Sequence, residues 1–275
     1  MRSKKSVWLG LLGIVLFAVV FLVPFAFILF TAAKTQREAG ELQFSLPTSW
    51  ALLQNFRDAL SARNYMLIIA FINSTILTVA SVAILVVLSA MVAYVVQRRQ
   101  SRWNGVINFL VLSGLIIPPA VVPTVWVLQE LGLFKTLGGL ILIEVAFGLS
   151  FCILLFRAFI ATIPRDLDEA AVIDGASPIR LFFRIIFPLL RSVIVTVVIV
   201  QSVAIFNDFA NPLYFLPGDE NATVQLTVFN FQSQFNTQYN LLFADILLIT
   251  IPPLLLYLFL NKRIVEGVTA GAVKG

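Results

Sequence analysis

The chain has no histidine, one cysteine and few charges: 19 Lys and Arg with 14 Asp and Glu in 275 residues. Each scarcity removes a class of protein. Without histidine there is no His-ligated metal, no Ser-His-Asp triad and no His-ligated haem. A lone Cys152 cannot form an internal disulfide, and inside an apolar run it reads as a small packing residue. Charged residues make up 12% of the chain, about half the ~25% of an ordinary soluble domain. The 60% of apolar residues and a mean hydropathy of +0.97 leave too little polar cover for a water-soluble fold, and they are the opposite of a disordered composition. No G-x-x-x-x-G-K-[ST] run occurs, and no G-x-G-x-x-G follows a strand pattern, so ATP is not bound through a P-loop. Energy for movement against a gradient then comes from an ion or from another subunit. No cofactor and no metal are expected.

What the chain does have is long apolar runs, at residues 6–30, 67–96, 104–128, 139–163, 189–209 and 243–261. Each is near or above the ~20 residues a helix needs to cross the hydrocarbon layer. They are continuously apolar rather than alternating, which selects helices over a barrel. The expected fold is all-α, a polytopic bundle of six transmembrane spans forming one domain over residues 1–275. The first run exceeds the ~7–15 residues of a signal-peptide apolar region and is read as a retained first helix. Pro118, Pro119 and Pro123 are expected to kink or interrupt span three, and Pro252 and Pro253 span six.

Only Glu144, Arg157, Arg191, Asp208 and Asp245 fall inside the runs. The connections 1–5, 97–103, 164–188 and 262–275 carry 12 Lys and Arg, whereas 31–66, 129–138 and 210–242 carry five. The positive-inside rule puts both termini in the cytoplasm. Arg157 and Arg191 lie near cytoplasmic ends, where long side chains snorkel to headgroups. Asp208 and Asp245 fall at outer ends and are read as solvated at the interface. The net charge of +5 is therefore a topology signal, and no basic patch interleaved with aromatics suggests nucleic acid.

The most structured connection is 164–188. Pro164 can open a helix, Asp166, Asp168 and Glu169 suit its positive N-terminal end, and Gly175 is placed to end it. Ser177 and Pro178 then supply an N-cap and first position for a second helix, in which Ile179, Phe182, Phe183 and Ile186 form an apolar face. Ala170 and Ala171 give the first helix a low-relief surface for another protein. A segment of this length between spans is long for a plain connector.

Glu169-Ala170-Ala171, then Gly175, Ile185 and Phe187-Pro188, resembles the EAA loop of bacterial ABC importer permeases, with Phe187 where Leu is usual. Asn55-Phe56 and Asn73-Ser74 are similar to landmarks of maltose-type carbohydrate permeases. So is Asn207-Asp208-Phe209 with Asn211-Pro212-Leu213, although Phe206 replaces a Trp. The tail Gly267-Val268-Thr269-Ala270-Gly271-Ala272-Val273-Lys274-Gly275 resembles that of the six-span partner in that group. The resemblance implies sugar import into a bacterial or archaeal cell across its inner membrane. The implied partners are a second, related permease, a cytosolic ATPase dimer and an extracytoplasmic solute-binding protein. It also implies that an ATPase cleft receives a coupling helix containing Leu167, Asp168, Glu169, Ala170, Ala171, Asp174, Gly175 and Ala176.

Asn73, Ser74, Glu144, Asn207 and Asp208 are candidates for the substrate pathway. Asn73 and Ser74 serve equally well as interhelical hydrogen-bonding groups. Glu144 lies two turns into span four, where the helix dipole tolerates an acid. Residues 50–63 are expected as a surface helix entering span two. Residues 210–242, with no Lys or Arg, are either a docking segment or a plain interfacial loop. The alternatives are an ABC permease for a non-sugar solute or an ion-coupled secondary transporter. Span centres almost free of charge, and no visible repeat, speak against the latter.

Overall fold

A computed structural model describes residues 4–99, 101–232 and 237–272 of the chain. Met1, Arg2 and Ser3 of the basic N-terminal cluster, and Val273, Lys274 and Gly275 of the expected tail pattern, lie outside the described residues. Among the described residues all regular structure is helical. Four helices are long and apolar enough to cross a membrane, and two bent helix pairs bring the number to as many as six.

Two compact units divide the chain, Met1–Ala70 with Leu226–Ile251 and Phe71–Gln225 with Pro252–Gly275. The first contains α1 (Lys4–Ala33), α2 (Gln36–Gly40) and the start of α3 (Leu52–Arg98). In α1 the most apolar window of Gly10–Ala33, with mean hydropathy 3.0, has none of its residues buried. Such a surface is stable only against lipid or another apolar chain. At the end of α1 the burial reverses, with Thr31, Ala32, Ala33 and Lys34 all 1% exposed or less. Asn55 explains the reversal. Its amide nitrogen donates to the carbonyls of Ala32 and Lys34, both at 2.8 Å, and so serves backbone acceptors left open where a helix ends. Lys34 in turn donates to the carbonyl of Gln43 at 2.8 Å and to Ser45 Oγ at 2.9 Å. The expected surface helix is present from Leu52. It stops at Ala62, Arg63, Asn64 and Tyr65, the last three with φ of 46°, 56° and 62°, and α3 then resumes as a span.

In the second unit α4 (Asn104–Ile116) and α5 (Val121–Glu130) replace the third expected span, bent by 115° across residues 117–120. Pro118 and Pro119 account for the break, since neither can donate to the helical ladder and each restricts the residue before it. α6 (Leu137–Ile160) is the central span of this unit. It approaches α4 closely enough that a Cβ on Gly114 would lie 2.4 Å from Ser150 Oγ, the small-residue contact that brings membrane helices together. Arg157 does more than snorkel: its Nη1 donates to Asn108 Oδ1 on α4 at 2.5 Å.

After α6 come α7 (Asp166–Ile173), α8 (Pro178–Leu181), a π-turn over Phe182–Ile186, α9 (Phe187–Leu189) and α10 (Arg191–Phe206). The run from Pro178 to Leu189 meets α10 at 76°. The 16 residues of α10 rise about 24 Å at ~1.5 Å per residue, short of a ~30 Å hydrocarbon core. The expected fifth span is thus a bent pair. Next follow α11 (Ala210–Phe215), α12 (Val224–Thr227), a 3-10 turn over Val228–Phe231 and α13 (Tyr239–Ala272), which carries Pro252 and Pro253 inside it without interruption.

Neighbouring glycines at the start of α6 test this packing. A Cβ at Gly139 would sit 2.2 Å from the Leu133 carbonyl oxygen, whereas one at Gly138 meets nothing within 4 Å. Gly139→Ala should lower stability by about 1–3 kcal/mol and Gly138→Ala should be neutral or slightly stabilising, as read from thermal unfolding of the detergent-solubilised protein.

Candidate functional site

The connection between α6 and α10 is built as a short, rigid projection. α7 opens with Asp166, Asp168 and Glu169 in its first turn, where carboxylates oppose the positive end of the helix dipole. The Arg165 carbonyl accepts from the amides of Asp168 at 2.9 Å and Glu169 at 3.2 Å. The helix ends in a Schellman motif. Gly175 takes φ of +74°, its amide donates to the Val172 carbonyl at 3.0 Å, and the Ala176 amide donates to that of Ala171 at 2.9 Å. The four-residue interval from Ala171 to Gly175 therefore has a mechanical meaning, setting where α7 stops. Ser177 caps α8 as expected, accepting from the Arg180 amide at 3.4 Å, with Pro178 in the first turn.

Asp168 anchors the projection to the end of α3. Arg98 Nη2 lies 3.1 Å from Asp168 Oδ2, with side-chain exposures of 10% and 16%. Tyr94 donates its hydroxyl to Asp168 Oδ1 at 2.6 Å. The same Arg98 nitrogen also donates to the Ile163 carbonyl at 2.9 Å. One guanidinium thus holds both the strand of chain leaving α6 and the first turn of α7.

Of the eight residues expected to couple to a partner, Glu169, Ala170, Asp174 and Gly175 are exposed, Leu167 is 40% exposed and Ala176 is half-buried. Asp168 and Ala171 turn inward, and Ala171 is buried in the same core cluster as Leu181 and Phe182. The low-relief surface expected of the alanine pair is consequently Ala170 alone. The outward face is instead apolar, with Val172, Ile173 and Ile179 at 61%, 85% and 72% exposure. The expected apolar face of the second helix splits likewise: Phe182 and Ile186 are buried, Phe183 is 43% exposed and Ile179 points outward. Beside Glu169 and Ile173 lies a cleft of about 480 Å³ that reaches Tyr94 and Arg98.

The five membrane candidates all have structural partners. Asn73 donates to the Ala222 carbonyl at 3.2 Å, and Ser74 Oγ accepts from the Val224 amide at 3.0 Å, so both hold the 222–224 segment. Asn211 donates to Glu144 Oε1 at 3.2 Å, and Glu144 is only 6% exposed. Asn207 donates to the Val203 carbonyl at 2.9 Å, while its side-chain oxygen accepts from Gln225 at 3.2 Å. Asp208 Oδ1 accepts from the amides of Ala210 and Asn211 at 2.9 and 3.4 Å, opening α11. Asp245 corrects an expectation: it is fully buried rather than solvated, and Thr227 Oγ1 donates to it at 2.9 Å. Sequence reasoning passed over Thr75, Thr78, Ser202 and Phe206, which line one cavity. The available signal was the spacing of three and four residues that puts each pair on one helix face.

Residues 85–269 match the family model described as the binding-protein-dependent transport system inner membrane component. The chain belongs to that family. Two related permeases frame it. The diacetylchitobiose uptake system permease protein NgcG of Streptomyces coelicolor is 32% identical, over 95% of this chain and 87% of its own length. The melibiose/raffinose/stachyose import permease protein MelC of Bacillus subtilis is 31% identical, over 100% and 99%. A bacterial ABC transporter involved in the import of the acidic polysaccharide alginate matches in structure, with TM-score 0.81 and 20% identity over 95% of this chain and 98% of that one. The likeness extends through both units, so this permease has the helical fold of an ABC importer membrane subunit.

The anchor on α7 yields a direct test. In a double-mutant cycle of Arg98→Met with Asp168→Leu, the coupling energy should be about 0.5–3 kcal/mol. Each single variant should speed hydrogen exchange of the amides in α7, because the remaining partner no longer holds its first turn. An additive cycle with unchanged exchange would count against the anchoring role.

Proposed function

We propose that this permease forms one half of a heterodimeric pore importing a sugar or oligosaccharide, and that it is driven by a separate ATPase dimer docking on α7. The single observation that carries the coupling assignment is the projection at 166–181, braced internally through Asp168 and outwardly apolar at Val172, Ile173 and Ile179. Exposed apolar patches of this kind mark protein contacts. Leu167, Glu169, Ala170, Asp174, Gly175 and Ala176 then supply the contact or its geometry, while Asp168 and Ala171 hold the projection to its own subunit. The positive-inside distribution supports both termini and this projection on the cytoplasmic side. A multi-pass location in a bacterial or archaeal cell membrane goes with it.

The sugar assignment is supported by relatives at 31% and 32% identity whose names specify oligosaccharides. A second chain of the same kind, an extracytoplasmic solute-binding protein and the surrounding lipid complete the assembly. A solved alginate transporter of the same fold is described in complex with a periplasmic protein holding an alginate pentasaccharide, at TM-score 0.69. In the proposed cycle, closure of the ATPase pair moves α7 and its braced neighbours as one body, and the pore alternates between its two openings.

The test has two arms. Purification under mild detergent should recover a P-loop ATPase with the chain, and vesicles containing the complex should show vanadate-sensitive, ATP-dependent saccharide uptake. Glu169→Lys, or Gly175→Leu at a φ that side chains rarely adopt, should abolish uptake while membrane insertion stays normal. Normal uptake by both variants would sink the coupling assignment.

A further inference from the structure

The loop between α1 and α3 is built with polar groups inside and carbon outside. Its base is closed by the Ala51 amide, which donates to the Ala33 carbonyl at 2.8 Å, and by Asn55 on the carbonyls of Ala32 and Lys34. Residues 34–51 thus form a compact loop whose ends meet and whose own side chains fill it. The filling is polar. Lys34, only 1% exposed, donates to the Gln43 carbonyl and to Ser45 Oγ. Glu38 accepts from the Thr48 amide at 3.0 Å and from its hydroxyl at 3.3 Å. The outside carries Leu42, Phe44, Leu46 and Trp50, at 42%, 57%, 64% and 66% exposure. A loop in water has the reverse arrangement, with its ammonium groups exposed and its largest carbon side chains covered. Leu42 also holds φ of +50°, a conformation costly for a bulky side chain, and such strain persists where the surrounding structure imposes it.

What covers these side chains follows from their depth. Phe44 does not project beyond α1 but lies back along it. Its ring stacks on Phe27 with centroids 6.4 Å apart and planes 12° apart, and it approaches Phe30 at 5.8 Å. Phe27 is itself held edge-on by Phe243 of α13 at 5.6 Å. Phe27 and Phe30 come six and three residues before the end of α1 at Ala33, about 9 and 4.5 Å back along its axis at ~1.5 Å per residue. The apolar stretch Gly10–Ala33 rises about 36 Å against a hydrocarbon layer of ~30 Å, so when centred in the bilayer it overshoots by about 3 Å at each end. Both rings then lie below the hydrocarbon boundary, and Phe44 reaches that depth with them. A soluble partner has no access there. Lipid does, and the loop is continuous with a helix whose most apolar window has no buried residue.

We propose that residues 42–50 are an interfacial anchor, with Phe44, Leu46 and Trp50 seated among the lipid headgroups and the upper acyl chains at the end of α1. Tryptophan is the residue of membrane-interface belts, its ring apolar and its N–H able to meet a headgroup. The anchor gives α1 what its own packing does not. Tilt and depth in a bilayer are set by neighbouring helices and by interfacial anchors, and the apolar window of α1 buries nothing against this chain. Lys34 and Glu38, by satisfying backbone groups of the loop from inside, let it sit where water is scarce. The anchor depends on α1 being a membrane span and is independent of which solute is carried.

The experiment has two parts. In membranes of cells expressing the complete complex, the photoreactive residue p-benzoylphenylalanine replaces Phe44, Leu46 or Trp50 in turn, and the cross-linked products are identified by mass spectrometry with and without the solute-binding protein. The main product at each position should be a phospholipid adduct, and the binding protein should change its yield less than twofold. A main product joined to a second permease or to the binding protein overturns the anchor. In the second part the full chain, carrying Trp8→Phe, Trp103→Phe and Trp126→Phe, is reconstituted into phospholipid vesicles with Trp50 as its sole tryptophan. Lipids brominated near the headgroup end of the acyl chain should remove at least half of its emission, and iodide should quench it about threefold less than free tryptophan. Emission that brominated lipid leaves unchanged, and that iodide quenches as it does the free amino acid, equally overturns the anchor. Both readouts leave the polar interior of the loop untouched, so a failure to fold does not stand in for either result.

Discussion

The governing constraint in this chain is that polar groups among so many apolar neighbours must find partners inside the protein, because lipid offers none. Its effect is visible at each turn of the chain. Asn55 serves two carbonyls at the end of α1 and accepts from Asn240 at 2.9 Å. Asn73 and Ser74 hold the 222–224 segment, and Arg157 reaches Asn108 across the α4–α6 contact. Asn73, Ser74, Asn207 and Asp208, pathway candidates when read in sequence, each also hold a backbone group in three dimensions. An amide in a membrane protein is therefore ambiguous evidence of function, because the same group that could meet a ligand also satisfies the backbone.

This distinction also explains what was legible beforehand. Helical class and the four long apolar helices followed from continuous apolar runs, because length and hydropathy decide whether a segment can cross, whereas the third and fifth runs form bent pairs. The stop of α7 at Gly175 and the cap of α8 at Ser177 were equally legible, since both are local backbone chemistry. The inward turn of Asp168 was not. Its partners, Arg98 and Tyr94, lie some 70 residues away, and acidic residues in a first helical turn look alike until those partners are placed. The burial of Asp245 was missed for the same reason: proximity to the end of a span says nothing about which neighbour covers it.

Prolines show the limits of local chemistry from another side. Pro118 and Pro119 coincide with a 115° bend, while Pro252 and Pro253 sit within an unbroken α13. The difference lies in the flanking sequence. At 117–120 the break leaves two short helices, α4 and α5, whereas the second pair is embedded in a run of apolar residues that stays helical on both sides. Proline fixes φ near the helical value, so a missing donor alone does not end a helix. The two pairs then have different uses: the first redirects the chain, and the second leaves a carbon-rich surface on α13 that closes one side of the cavity.

Force transmission sets the final requirement. A segment of eight residues such as α7 is too short to be stable alone, since isolated helices below ~12–15 residues are marginal in water. If the proposed ATPase contact is to move the spans and not merely deform a loop, α7 must be tied to them at both ends. Arg98 ties its first turn to α3. The Schellman motif at Gly175 leads directly into α8 and the π-turn over Phe182–Ile186, where Phe182 and Ile186 are buried among the residues that pack on α6 and α10. Fixed through charge at one end and through packing at the other, α7 presents Val172 and Ile173 outward on a support that cannot yield independently of the membrane helices. A rigid connection of this kind converts a partner's movement into rotation of packed helices, the type of motion on which alternating access depends.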